Sequence, residues 1–176
     1  MSVSPSSFTC ANVGSNTVVL TVTDSNGNTA TCSSTVTIQD NVAPVATCKN
    51  ITIQLDATGN ASIVAGDINN GSIDACGIAS LTASKTSFNY TNVGPNTVTL
   101  TVVDNNGNIS TCNSTVTVQD NVAPVAVCKN ITVQLNASGT ASITASQVNN
   151  GSSDACGITM SVSPSSFTCA NVRSEE

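Results

Sequence analysis

The run TVVLTVTDSNGNTATCSSTVTI, residues 17–38, decides the fold. Val18, Leu20 and Val22 alternate with Thr17, Thr21 and Thr23, and Cys32, Ser34, Val36 and Ile38 alternate with Thr31, Ser33, Thr35 and Thr37. A period of two places each set on one face of a strand. Between the two runs stands Asp24-Ser25-Asn26-Gly27-Asn28. Asn-Gly tolerates positive φ at both positions, so this spacing predicts a hairpin closed by a type I′ turn. The alternation continues in Ile51, Ile53 and Leu55 against Thr52 and Gln54. No apolar period of 3.6 residues runs through the chain, and the only helix expected is one short turn at residues 65–69 and again at 145–149.

The same pattern returns further along. Shifted by 80 residues, positions 11–80 align with 91–160, and 49 of the 70 are identical. Cys32, Cys48 and Cys76 recur as Cys112, Cys128 and Cys156, whereas Cys10 falls opposite Tyr90. The opening segment MSVSPSSFTCANV, residues 1–13, is repeated without change at 160–172. QDNVAP at 39–44 and 119–124 stops strand pairing with polar residues and a proline, and it marks the boundaries between units. A complete repeat is expected at 45–124, the second half of one at 1–44, the first half of another at 125–172, and a non-repeat tail at 173–176. Short strands spaced by turns make this an all-β chain of tandem sandwiches, each of about 80 residues.

Composition narrows the function. The 176 residues include eight cysteines, no histidine and no tryptophan. Without imidazole there is no Ser/His/Asp or Cys/His triad and no histidine metal site, so an enzyme is not expected. A net charge of −6 opposes nucleic acid and anionic membrane surfaces as partners. No CxxC occurs, which argues against zinc ribbons and thioredoxin-like redox sites and leaves disulfides as the economical use of the cysteines. No apolar run approaches the roughly 20 residues that span a bilayer. Residues 1–10 do not read as a signal peptide, so any export signal is expected outside this chain. The few aromatics, Phe8, Phe88, Phe167 and Tyr90, read as core.

TCKNITIQL from Thr47, DACG from Asp74, TVTLTVVDNNGN from Thr97 and the STC before STVTV resemble HYR-type repeats. These are immunoglobulin-like sandwiches of extracellular proteins. In tandem the motifs are similar to repeats of very large surface adhesins of flavobacteria and their relatives, including gliding-motility adhesins. The resemblance implies an extracellular, cell-surface location and no catalytic residues. In an immunoglobulin-like sandwich the first strand lies beside the last, which pairs Cys48 with Cys112. A second bond is expected between Cys156 and Cys169. Tyr90 stands where the partner of Cys76 would be, leaving Cys76 either a buried free thiol or a link to another chain.

QDNVAP is similar to the Asp-Asn-Ala-Pro linkers with which cadherins bind calcium, implicating Asp40, Asn41, Asp120 and Asn121. The alternative is a turn in which these side chains bond their own backbone. No cofactor is required on either reading. Two function classes follow: a structural or adhesive repeat of a surface filament or stalk, and a specific glycan- or receptor-binding module. For the first, the expected partner is the chain itself, head to tail, with Cys128 near Cys32 of a neighbouring chain or repeat. A window cut from a longer array gives the same axial repeat. Surface glycans and other cells are the remaining expected partners.

Overall fold

A computed structural model describes residues 1–172, so the tail expected at 173–176 lies outside the described residues. The described residues are all-β, with two single-turn helices and three short 3-10 turns among them. It divides into two compact units. The first comprises Met1–Thr52, Ser62–Thr86 and Pro95–Thr117, and the second comprises Ile53–Ala61, Ser87–Gly94 and the chain from Val118 onward.

The first unit opens with β1 (Ser2–Ser4), β2 (Gly14–Thr23) and β3 (Thr29–Ile38), an antiparallel sheet in that order. Val3 pairs with Leu20, and Leu20 with Cys32. The hairpin stands where expected, but its turn is different. Gly27 has φ of 88° while among the described residues none other than glycine has positive φ, so the type I′ turn is corrected. Gly27 N–H reaches Asp24 O at 3.2 Å and Asp24 N–H reaches Asn28 O at 2.9 Å, which is a type I turn followed by a glycine bulge. Asp24 is the reason. Its Oδ1 accepts from the N–H groups of Asn26 and Asn28, at 2.9 and 2.8 Å, and its Oδ2 accepts from the Asn28 amide at 2.8 Å. These bonds hold Asn26 out of the left-handed region.

Next come β4 (Ile51–Gln54), β5 (Asn60–Ser62), α1 (Ala65–Ile68), β6 (Ile78–Ala83), β7 (Ser87–Asn89), β8 (Gly94–Asp104) and β9 (Ile109–Gln119). They form a four-stranded sheet, β4-β9-β8-β6, chiefly of the first unit, and a two-stranded sheet, β5-β7, which falls in the second apart from Ser62. The alternation in β8 and β9 becomes burial: Val98, Leu100, Val102 and Val116 are each 0% exposed. Ser114 stands in the same row and satisfies its hydroxyl by donating to Lys49 O at 2.7 Å. The equivalent hairpin β2–β3 is less covered. Val18 is buried, but Leu20 and Val36 are half-buried and Val22 is 42% exposed. Cys48 and Cys112 form a disulfide that closes a loop of 64 residues.

The second unit carries β10 (Thr140–Ser142), α2 (Ala145–Val148) and β11 (Ser166–Thr168). β10 and β11 pair with Phe167 opposite Ala141. Residues 131–134, the counterparts of β4, form no strand. β4 pairs with β9, and this unit contains no equivalent of β9 among its described residues. A cavity of about 310 Å³ remains there, lined by Val125, Val127, Cys128, Val148, Ile158 and Met160.

Replacing Cys48 and Cys112 by alanine is expected to lower the thermal midpoint by well over ten degrees. The closed loop contributes about 4 kcal/mol by the chain-entropy argument, and each kcal/mol is about 4 to 8 °C in a domain of this size. Scanning calorimetry of the double variant at pH 7 checks this.

Burial pushes the Asp104 carboxyl up, but hydrogen bonds from the Asn108 amide and from the N–H groups of Asn108, Asn106 and Gly107 outweigh it and hold the group below its ordinary value of 3.8. The folded carboxylate therefore binds a proton less readily than the unfolded one. Its contribution is full above the ordinary value and is lost as pH falls through the lower, folded one. Asp104→Asn is expected to lower the midpoint at pH 7 and to shrink the further loss between pH 5 and pH 3, read by thermal melts at the two pH values.

Candidate functional site

Cysteines concentrate where the DACG loop meets the chain before it. Within the first unit Cys10 and Cys76 form a disulfide across 66 residues, with Cα atoms 5.1 Å apart. The expectation that Cys76 has no partner is corrected. Its partner lies in the preceding repeat segment, not in its own, where Tyr90 occupies the corresponding place. Two features set the Cys10 side. Cys10 opens a 3-10 turn, Cys10–Asn12, and Asn12 Oδ1 caps it by accepting the Thr9 N–H at 2.9 Å. On the other side Asp74 Oδ1 accepts the Cys76 N–H at 2.7 Å and fixes the loop.

Asp40, from the boundary QDNVAP, joins this junction. Its Oδ1 accepts the Val42 N–H at 3.1 Å, closing an Asx turn. Its Oδ2 accepts from the Asn106 amide at 2.8 Å, and its carbonyl accepts from the Asn108 amide at 3.1 Å. The boundary is thereby pinned to the β8–β9 loop.

The same constellation recurs one repeat later in the second unit, without the bond. Cys156 is a free thiol, half-buried, beside Asp120 and Asp154. A hydrogen bond to the Asp120 carboxylate, together with burial and the charges of Asp120 and Asp154, pushes the thiol up to about 11. The bond from Cys156, with the Val122 N–H, holds Asp120 below the usual carboxylate range.

Cys169 is also free, and exposed, so the expected Cys156–Cys169 bond is corrected. Cys169 Sγ stands against a different partner from Cys156, 3.7 Å from Gly139 O in the turn before β10. The physical reason is direction: after the DACG loop the chain runs on to β11 before Cys169 opens its own 3-10 turn, so the two sulfurs are carried apart. Cys32 and Cys128 are both free and exposed. Of the aromatics, Phe88 is buried and Phe8 and Phe167 are half-buried, but Tyr90 is 53% exposed and is corrected as a core residue.

Among the described residues, two groups bring three potential ligand atoms within 4.8 Å of one another: Asp40, Asp74 and Cys76, and Asp120, Asp154 and Cys156. The Cys76 sulfur is committed to its disulfide, which leaves two carboxylates there. Calcium takes six to eight oxygens, and it has little affinity for thiols. Backbone carbonyls and water would have to supply most of the shell. Asn41 is exposed, and the Asn121 amide donates to Gln54 Oε1 at 2.7 Å.

No protein-family model matches the chain, and no curated protein matches it. Fold and junction together define an all-β chain with two disulfides, repeated at 80 residues. Among the described residues no helix is long and apolar enough to cross a membrane.

Iodoacetamide is expected to modify Cys156 slowly at pH 8, where roughly one thiol in a thousand is ionised. Asp120→Asn removes the hydrogen bond and one charge, and it is expected to speed that reaction roughly ten- to a hundredfold. Peptide mass mapping of a timed alkylation series reads the rate, and an unchanged rate would sink the assignment.

Proposed function

We propose that this chain is a non-catalytic structural and adhesive repeat of an extracellular filament or large surface adhesin, built of tandem immunoglobulin-like sandwiches that continue head to tail. One observation carries the reading. Cys48 and Cys112 are bonded, while their repeat counterparts Cys128 and Cys32 are both free and exposed. Each free cysteine sits on an unfinished surface. Cys32 lies on the β2–β3 hairpin, whose inner face is only partly covered, and Cys128 lines the cavity where no equivalent hairpin is present.

The hairpin of a second copy is the piece that fits. It carries the strands that β8 and β9 contribute to the four-stranded sheet, and it would bring Cys32 against Cys128. Such a contact is heterologous and propagates. Bond formation needs an oxidant, for which a small-molecule disulfide such as oxidised glutathione serves: two protein thiols become one disulfide and two small thiols are released.

Two further features support a non-catalytic role outside the cytosol. Disulfides persist in oxidising compartments. The Cys156 thiol is pushed away from the ionised form that a nucleophile requires, so its environment is the reverse of an activated site. The HYR resemblance points to the cell surface.

In oxidised glutathione the purified chain is expected to form a ladder of multimers on a non-reducing gel and fibres in electron micrographs. Cys32→Ser should abolish the Cys32–Cys128 linked peptide. Val36→Asp, on the hairpin's inner face, should abolish association itself. A monodisperse monomer at high concentration would overturn the proposal.

A further inference from the structure

We infer that, when copies associate, residues 160–172 of one copy replace residues 1–13 of the next, and that Cys169 displaces Cys10 from its disulfide with Cys76. The inference rests on the head-to-tail reading above and adds to it a covalent exchange that needs no oxidant.

The two segments are identical in sequence but hold different halves of one set of contacts. Residues 1–13 contribute β1, paired with β2 through Ser2–Thr21, Val3–Leu20 and Ser4–Val19, and the bond to Cys76. Residues 7–9 of that copy form no strand. Residues 160–172 contribute β11, paired with β10, whereas Ser161, Val162 and Ser163 form no strand and Cys169 is unbonded. The central repeat shows both halves made at once by a single segment. There β6 pairs with β8, with Ala83 opposite Leu100, and β7 pairs with β5. Ala83 and Val3 occupy the same place one repeat apart, as do Leu100 and Leu20.

A completed sandwich has room for one such segment, not two. If the second copy keeps its own residues 1–13, Phe167 remains on β10 but Ser161–Val162–Ser163 stays unpaired. If residues 160–172 take over, they keep the β10 pairing and gain the β2 pairing. The displaced residues are the same thirteen, so nothing specific to their sequence is lost. The β10 pairing is held in both states and the β2 pairing is exchanged like for like, so the two states are nearly balanced and a substantial share of junctions is expected to exchange.

A second observation places the partner loop. Gly59 approaches Ala155 of the following DACG loop so closely that a Cβ added to Gly59 would lie 2.8 Å from the Ala155 Cβ. Gly139 is the counterpart of Gly59, and Cys169 Sγ stands beside it, 2.7 Å from where a Cβ would be. The seat used by one DACG loop is thus present again next to Cys169, and the DACG loop that would fill it in a second copy contains Cys76. Both sulfurs in competition open 3-10 turns of the same build, since Asn171 Oδ1 caps the Thr168 N–H at 2.9 Å as Asn12 caps Thr9.

The chemistry balances. The Cys169 thiolate attacks Cys76 Sγ, the Cys76–Cys10 bond breaks with its electron pair going to Cys10, and the proton given up by Cys169 ends on the Cys10 thiolate. One disulfide and one thiol enter and leave. The product is a chain-to-chain link between Cys169 and Cys76 with Cys10 released.

The test uses the full chain with the Cys10–Cys76 bond formed, concentrated at pH 8 without oxygen or any added disulfide, then alkylated and mapped by mass spectrometry beside a non-reducing gel. Without an added oxidant any new bond, a Cys32–Cys128 bond included, can form only at the expense of one of the protein's own disulfides, so covalent multimers report exchange and the linked peptides say which thiol took part. The expected result is a ladder, a Cys169–Cys76 linked peptide, one newly alkylated Cys10 for each link and an unchanged total of thiols. Cys169→Ser should lose the ladder while light scattering still records association. Association with Cys10 protected in every copy would overturn the exchange and leave the head-to-tail reading standing. Absence of any association, even with oxidised glutathione, would remove both.

Discussion

An antiparallel hairpin with one apolar face cannot stand with that face in water, and the rest of this molecule follows from how the face is covered. In β8–β9 the coverage is complete, and each buried Val or Leu contributes about 1.5 to 3 kcal/mol relative to exposure. About half of the strand residues taken together are threonine, serine or asparagine, and the chain has no tryptophan, so the apolar layer is thin. A small domain with a thin core is marginal without covalent help. Cys48 and Cys112 supply it from within that same layer. Where the covering strands are missing, as at β2–β3 and around Cys128, the same residues stand half-covered and the same cysteines stand unbonded.

The second disulfide has a different logic. Cys10–Cys76 joins one repeat segment to the next, so it fixes succession and not closure. Asp40 acts in the same direction by tying the boundary turn to the loop of the following hairpin. Two repeats differ at one decisive place: Cys10 has Tyr90 as its counterpart, and so the DACG cysteines alternate between one with a partner and one without.

Much of the fold was legible in sequence because strand alternation, turn residues and a repeat are local signals. Val98, Leu100 and Val102 follow the period of two into full burial, and the turns at Ala65–Ile68 and Ala145–Val148 form where residues 65–69 and 145–149 indicated. The turn type was not legible, because Asp24 and Asp104 close the loop through side-chain bonds that compete with the Asn-Gly preference. The cysteine pairing was only half legible. Cys48 and Cys112 could be matched because neighbouring strands follow from the immunoglobulin-like resemblance. Cys10 and Cys76 could not, because nothing in the spacing says that a cysteine reaches into the next repeat. Tyr90 held the signal: if each DACG cysteine bonded within its own repeat, the loss of a cysteine at 90 would strand Cys76, whereas pairing with the preceding repeat strands Cys156 instead.

Near-identical repeats carry a hazard, since any DACG loop resembles every other and a wandering thiol could bond the wrong one. The environment of Cys156 limits that error. Disulfide exchange requires a thiolate, and the Asp120 carboxylate, by accepting a hydrogen bond from the thiol and by its own charge, keeps Cys156 in the neutral form well above physiological pH. Asp154 adds to the effect from the DACG loop itself. The same pair of carboxylates at the bonded junction, Asp40 and Asp74, surrounds a sulfur that has already found its partner. The boundary aspartates Asp40 and Asp120 shape turns in both repeats, and in the repeat whose cysteine lacks a partner Asp120 and Asp154 keep the thiol unreactive.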